Sequence, residues 1–211
     1  MSAQTLLSLA NANPAPGTPE NAALILIDAQ EEYRSGALPL PGIKGALENA
    51  ASLLAHWRAK GGLVVHIVHH SGPGDVIFDP NGDFVAILPE VVPQDDEAIH
   101  IKNVPNSFGG TGLQESLEKA GRKNIVLAGF MTHLCVSTTA RAGHELGYGV
   151  TVVSDATATR DLPLPNAIAG AEQADSTASF IAADKLHQAE LTMLGDIFAT
   201  IASTQTLVSG E

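Results

Sequence analysis

The chain has 211 residues, 45% of them hydrophobic, and a formal net charge of −12. That length and apolar content suit a folded α/β unit with a full core and exclude a disordered chain. Only 11 Lys and Arg are present, scattered along the sequence, which argues against a nucleic-acid partner, and no run nears the ~20 apolar residues of a membrane span.

The first 20 residues read as an arm, because Asn13, Pro14, Pro16, Gly17 and Pro19 interrupt any regular element. Leu6, Leu7 and Leu9 give the arm apolar groups to dock with, and no basic stretch marks it as a signal peptide. The remainder, residues 21–211, reads as one domain. Ala22 to Ile27 is a continuous apolar run ending at Asp28, the pattern of a strand buried on both faces. Leu47, Ala50, Leu54 and Trp57 then recur at helical spacing, and Gly61–Gly62 close that helix. Leu63 to Val68 is the second strand. Residues 71–96, rich in Gly, Pro and Asp, form a long loop of the kind that often carries function.

Ala98 to Lys102 is a short third strand. Thr111 and Gln114 have capping-box spacing before a helix that turns Leu113, Leu117 and Ala120 inward and ends at Gly121. Asn124 to Ala128 is the fourth strand. With Thr132 as N-cap, the next helix starts at His133 and runs to Leu146, before Gly147. Val150 to Val153 is the fifth strand. Residues 157–182 give no clear period. A last helix places Leu186, Ala189, Met193, Leu194, Ile197 and Phe198 on one face, and Ala199 to Ser203 form a sixth strand. Alternating strands and helices predict a three-layer αβα, Rossmann-like fold, with a mainly parallel sheet of about six strands and helices on both faces.

Such sheets bind ligands beyond the carboxyl ends of their strands. Asp28 ends the first predicted strand, Lys102 ends the third, and Cys135 opens the helix after the fourth. A thiol in a helix's first turn faces the positive end of the dipole, which favours the nucleophilic thiolate. On residues alone two readings stand for each group. Cys135 is a nucleophile or a small buried hydrophobe, and Asp28 with Lys102 is a catalytic pair or a structural ion pair. The lone Cys135 excludes an intrachain disulfide and suits a reducing, cytoplasmic setting. No G-x-G-x-x-G or Walker A sequence points to a nucleotide.

Three segments, in order, carry a family resemblance: LILIDAQEEY, IKNVPNSFGGTGL and VLAGFMTHLCVSTTARAGHELGYGVTVVSDATAT. With the C-terminal HQAELTMLGDIFATI they resemble the isochorismatase-like cysteine hydrolases over roughly residues 22–203. The resemblance implies Cys135 as nucleophile, Asp28 as base and Lys102 as charge stabiliser. It implies a cis peptide between Phe130 and Met131, and an oxyanion hole from the N–H groups of Met131 and Cys135. It implies a pocket lined by Gln30, Tyr33, Phe108, His69 and His70, the first of these equally readable as a positioning hydrogen bonder. The substrate is then a small molecule whose C–N bond is cleaved. Vinyl ether hydrolysis, as in true isochorismatases, and a non-catalytic binding role are the alternatives. The nicotinamidase subgroup holds a metal through Asp-x-His, which this chain lacks at HIVHHSGPGD, so neither metal nor cofactor is expected. The resemblance also implies a homo-oligomer.

Overall fold

The computed structural model describes residues 3–94, 96–165 and 180–210. Its centre is a six-stranded sheet of β1 (Ala22–Ile27), β2 (Leu63–His69), β3 (Ala98–Lys102), β4 (Asn124–Phe130), β5 (Gly149–Ala158) and β8 (Thr200–Ala202), in the order β3-β2-β1-β4-β5-β8. All neighbours pair in parallel. The strand order reverses between β1 and β4, and Ile27 pairs with both Ile67 and Gly129.

Strand alternation divides β1 between two cores. Ala22, Leu24 and Leu26 pack with Leu47, Ala50, Leu54 and Trp57 of α2 (Ile43–Ala59). Ala23, Ile25 and Ile27 pack with Leu113 and Leu117 of α3 (Leu113–Lys119), Ala140 of α4 (Ser137–Glu145), and Leu191 and Leu194 of α5 (Ala183–Ile197). Every residue of β1 is buried, which explains its unbroken apolar sequence.

Four sequence expectations need correction. Thr111 and Gln114 do not form a capping box. The Thr111 hydroxyl donates to the Ser107 carbonyl at 2.6 Å and accepts from the Leu113 N–H at 3.2 Å, while the Gln114 side chain donates to Glu118. Ala120 lies at the exposed end of α3 rather than inside. Thr132 is not an N-cap: Met131 takes that place, and Thr132–Val136 form a single π-helical turn before α4. In α5 the inward positions are Ala183, Glu190, Leu191 and Leu194, while Ala189 and Met193 face out. The buried Glu190 is neutralised by Arg141 at 3.0 Å and accepts from the Ser137 hydroxyl at 2.5 Å, a pairing that apolar periodicity cannot register.

Within 157–182, β6 (Leu162–Pro163) pairs antiparallel with β7 (Phe180–Ile181). The rest of that unassigned stretch, residues 166–179, lies outside the described residues. The arm carries a short helix, α1 (Leu6–Leu9), and is tied to the body. The Leu6 N–H donates to Asp196 at 2.8 Å, the Thr200 hydroxyl to the Pro14 carbonyl at 3.0 Å, and the Gly17 N–H to the Thr151 hydroxyl at 3.0 Å. The last described element, α6 (Thr204–Ser209), packs on α2. No helix among the described residues is long and apolar enough to cross a membrane.

Candidate active site

Asp28 leaves β1 in a left-handed conformation, φ 49°, a region that aspartate tolerates better than most residues. Its own N–H still bonds the Ile67 carbonyl at 2.9 Å, so the turn begins at the last rung of the sheet. Lys102 ends β3 opposite His69, the last residue of β2. Cys135 lies inside the π-helical turn that follows β4. The reversal of strand order between β1 and β4 therefore opens the crevice into which these three side chains converge.

Lys102 Nζ lies 2.7 Å from Asp28 Oδ2, 3.3 Å from Cys135 Sγ and 3.0 Å from His69 Nδ1. An ammonium has three donors, and here each faces an acceptor. The side chains of Lys102 and Asp28 are wholly buried, and Cys135 is 3% exposed. Lys102 and Asp28 form a close ion pair, with both side chains wholly buried. A buried carboxylate is costly without its counter-ion, and burial favours its taking up a proton.

Burial pushes the Asp28 carboxyl up to about 6, against the downward pull of Lys102. Burial likewise pushes the Cys135 thiol up to about 12, and the charge of Asp28 adds to the rise. Burial thus acts against the thiolate form that the helix end was expected to favour. With one positive charge supplied by Lys102, the low-dielectric crevice favours one negative charge, and so a single proton shared by Asp28 and Cys135. At neutral pH the arrangement is a thiol beside a carboxylate, ready for one proton transfer.

The other predicted positions fall in different places. Phe130–Met131 is a cis peptide. The Met131 carbonyl accepts from the N–H groups of Leu134 and Val136 at 3.1 and 3.2 Å, which fixes the turn that carries Cys135. Tyr33 is buried as a wall, edge-on to Phe78 at 5.3 Å and to Phe130 at 5.7 Å. Gln30 is fully buried and fully used. Its amide donates to the carbonyls of His69 (3.0 Å) and Val85 (2.8 Å) and accepts from the His69 N–H at 2.8 Å. It clamps the end of β2 to β1 and to the 71–96 loop, which is the positioning role and not a pocket lining. Phe108 is also corrected: its ring stacks on Tyr148 at 5.7 Å and packs beside Gly143, toward the far end of α4.

His69 belongs to the cluster through Lys102. Burial, with Lys102 and then His70, lowers its pKa to about 4, so the ring is neutral. Because Nδ1 faces the Lys102 ammonium, the ring proton is assigned to Nε2. The His70 N–H bonds the Lys102 carbonyl at 2.9 Å. His66 is a core residue bonded to Glu97 at 2.8 Å.

Two polar chains that sequence reading missed support the turn around Cys135. The Thr132 hydroxyl pairs with His187 Nδ1 at 2.9 Å, and His187 Nε2 donates to the Ser154 carbonyl at 3.0 Å. This ties α5 and β5 to the residue after Met131. On the opposite side, the Thr139 hydroxyl donates to Ser107 at 2.8 Å and accepts from the Ser107 N–H at 3.0 Å. His187 lies more than 50 positions from Thr132 and no local spacing links them. Among the described residues, a cavity of about 460 Å³ opens between the start of α2 and the end of β5, lined by Ala46, Asn49, Asp155, Ala158 and His187. It contains neither the thiol nor its two charged partners, and one oxygen of its Asp155 is held by Thr204 at 2.8 Å, so the reactive cluster and not cavity size locates the candidate site.

The profile of the Isochorismatase domain matches residues 22–206. The secreted isochorismatase effector Isc1 of Verticillium dahliae is 36% identical over 200 residues, covering 95% of this chain and 97% of that protein. The crystal structure of an isochorismatase from Pseudomonas putida superposes with a TM-score of 0.88 at 36% identity, covering 98% of this chain and 100% of the other. The maleamate amidohydrolase of Pseudomonas putida is 31% identical over 149 residues, 63% of this chain and 70% of that protein. A secreted relative means that the lone thiol does not by itself fix the compartment. By sequence and by fold, the chain belongs to the isochorismatase family of hydrolases.

Proposed function

We propose that the chain is a cysteine-dependent hydrolase that cleaves the C–N bond of a small amide through a thioester. The observation that carries this reading is the meeting of Asp28 and Cys135 at the Lys102 ammonium, a wholly buried carboxylate and a buried thiol on one counter-charge. A relative named as an amidohydrolase supports the choice of bond. In this scheme Sγ attacks the amide carbon as the thiol proton passes to Asp28. The N–H groups of Met131 and Cys135 receive the carbonyl oxygen as it gains charge, a type of contact worth roughly 3–4 kcal/mol per donor. The C–N bond then breaks, and Asp28 returns the proton to the leaving nitrogen. Water, deprotonated by Asp28, attacks the thioester and releases the acid and the thiol. Lys102 holds the pair at net neutrality throughout.

A library of small amides, read by ammonia release from wild type and from Cys135→Ala, tests the proposal. Turnover that disappears in the variant while its fold is retained is the expected result. A vinyl ether turned over equally by both proteins, but not by Asp28→Asn, would replace the proposal with isochorismatase-type chemistry. The proposal includes self-association, supported by the exposed Ile99 and Ile101 on the edge strand β3. A solution mass of 21.8 kDa, that of one chain, would contradict it.

A further inference from the structure

We propose that His69 is a positioning residue of the reaction, an uncharged acceptor that holds the Lys102 ammonium in place while Asp28 and Cys135 exchange a proton. This rests on the thiol chemistry proposed above and adds a fourth residue to it. His69 and Lys102 face each other at the last rung between β2 and β3. Sheet register therefore sets the ring beside the ammonium, with Nδ1 3.0 Å from Nζ. Both backbone groups of His69 are held by the Gln30 amide, which donates to its carbonyl at 3.0 Å and accepts from its N–H at 2.8 Å. Phe78 braces the ring edge-on, with centroids 5.0 Å apart. Phe78 is itself buried with φ 52°, a left-handed conformation that a bulky residue adopts only at a cost. Its N–H donates to the buried Glu32 at 3.3 Å, and its carbonyl accepts from the Ser71 N–H at 3.0 Å. The 71–96 loop thus carries backbone strain at the residue that packs on this ring.

The chemistry explains why this third acceptor is uncharged. In the resting site Lys102 also meets Asp28 at 2.7 Å and Cys135 at 3.3 Å. As Sγ bonds the substrate carbon, its proton passes to Asp28. The carboxylate becomes a neutral acid, and the sulfur, now in a C–S bond, is a weak acceptor. Both partners therefore loosen their hold on the buried ammonium in one step. His69 Nδ1 keeps its lone pair throughout, because burial, then the charge of Lys102 and of His70, keeps the ring unprotonated near neutral pH. Among the described residues, His69 is the one partner of the ammonium outside the proton transfer. A carboxylate in its place would add a second negative charge and oppose the charge that gathers on the sulfur and the carbonyl oxygen. An apolar side chain would leave one donor of a buried ammonium unpaired and free the charge to turn from the sulfur.

Cys135 is the only cysteine of the chain, so its alkylation by iodoacetamide, followed by intact mass, reports on this sulfur without a substrate. Alkylation makes the same demand as the proposed reaction: a C–S bond forms, iodide leaves and the thiol proton must depart. Rates at pH 7.5 are compared for wild type, His69→Leu and His69→Asn, and thermal melts confirm folding. Leucine fills the space without an acceptor, whereas the asparagine amide oxygen falls where Nδ1 stands. The expected result is alkylation at least ~10-fold slower in His69→Leu, the scale of one lost bond to a charged group, and within ~3-fold of wild type in His69→Asn. Should His69→Leu fail to fold, His69→Ala takes its place under the same criteria. A rate in His69→Leu like that of wild type would overturn the inference. So would a folded His69→Asn no faster than His69→Leu, or wild-type alkylation no faster than that of Asp28→Asn. Ammonia release from a library of small amides is followed in parallel. Slow alkylation in His69→Leu, rescued in His69→Asn, with no amide turned over by wild type would sink the amide reading and leave the role of His69 standing. Amide turnover by wild type, matched by His69→Leu in alkylation and in kcat, would do the reverse.

Discussion

Among the described residues, the ammonium of Lys102 is the single counter-charge to a wholly buried Asp28, and it meets the sulfur and His69 with its remaining donors. Lys102→Met removes that charge while keeping the length of the side chain. The carboxylate is then buried and unpaired at neutral pH, a loss of roughly 3–5 kcal/mol for such pairs. Urea unfolding at pH 8 and pH 5 is the measurement, and the loss is expected to be smaller at pH 5, where Asp28 is largely protonated. In the wild type, burial places the Asp28 pKa at about 6, above its ordinary 3.8. The folded state binds the proton more tightly, so this group's stabilising contribution is full below 3.8 and is lost as pH rises through about 6. Activity has the opposite sense. The base form of Asp28 fills as pH rises, so kcat/KM is expected to fall below an acid limb near pH 6. A flat kcat/KM profile between pH 5 and 8 would contradict that assignment.

At the scale of elements, the close approach of β1 and β4 frames the crevice. Gly129 has φ +115°, and a Cβ placed there would lie 2.0 Å from the Ile27 carbonyl oxygen. Gly129→Ala is expected to cost more than ~3 kcal/mol and to impair folding, read as the chemical-denaturation midpoint. Strands β1 and β3 were legible to the residue because continuous or alternating apolar runs have few other solutions. Their ends placed Asp28 and Lys102, and chain order then brought both to one edge. The helices were less legible. The inward face of α5 includes Glu190, which Arg141 makes tolerable, so apolar period alone turned that helix too far. The turn at Thr132–Val136 follows a π pattern set by the Met131 carbonyl and by the distant His187, and no local residue signals it. The same holds for the thiol: position in a helix's first turn suggested a low pKa, whereas the depth of burial, a tertiary property, pushes it up.

Across the whole molecule, the site and the arm occupy opposite edges of the sheet. Gly17 approaches Ala22 and Val126 near the starts of β1 and β4, and Pro14 accepts from Thr200 at the start of β8. The reactive side chains lie at the strand ends. Deleting residues 1–16 removes the Leu6–Asp196 and Pro14–Thr200 bonds and leaves the crevice untouched. The expected outcome is a loss of about 1–2 kcal/mol, or ~2–8 °C in Tm, with kcat unchanged. A loss of kcat at unchanged Tm would show that the arm reaches the site.

The account as a whole depends on the sulfur of Cys135 becoming covalently attached to substrate under the control of Asp28. Rapid-quench intact-mass measurement on an amide that the wild type turns over tests this most directly. The account predicts a transient adduct equal to the acyl portion of the amide, localised to Cys135 by peptide mapping and absent from Asp28→Asn. Full turnover with no adduct, or undiminished turnover by Cys135→Ala, would contradict it.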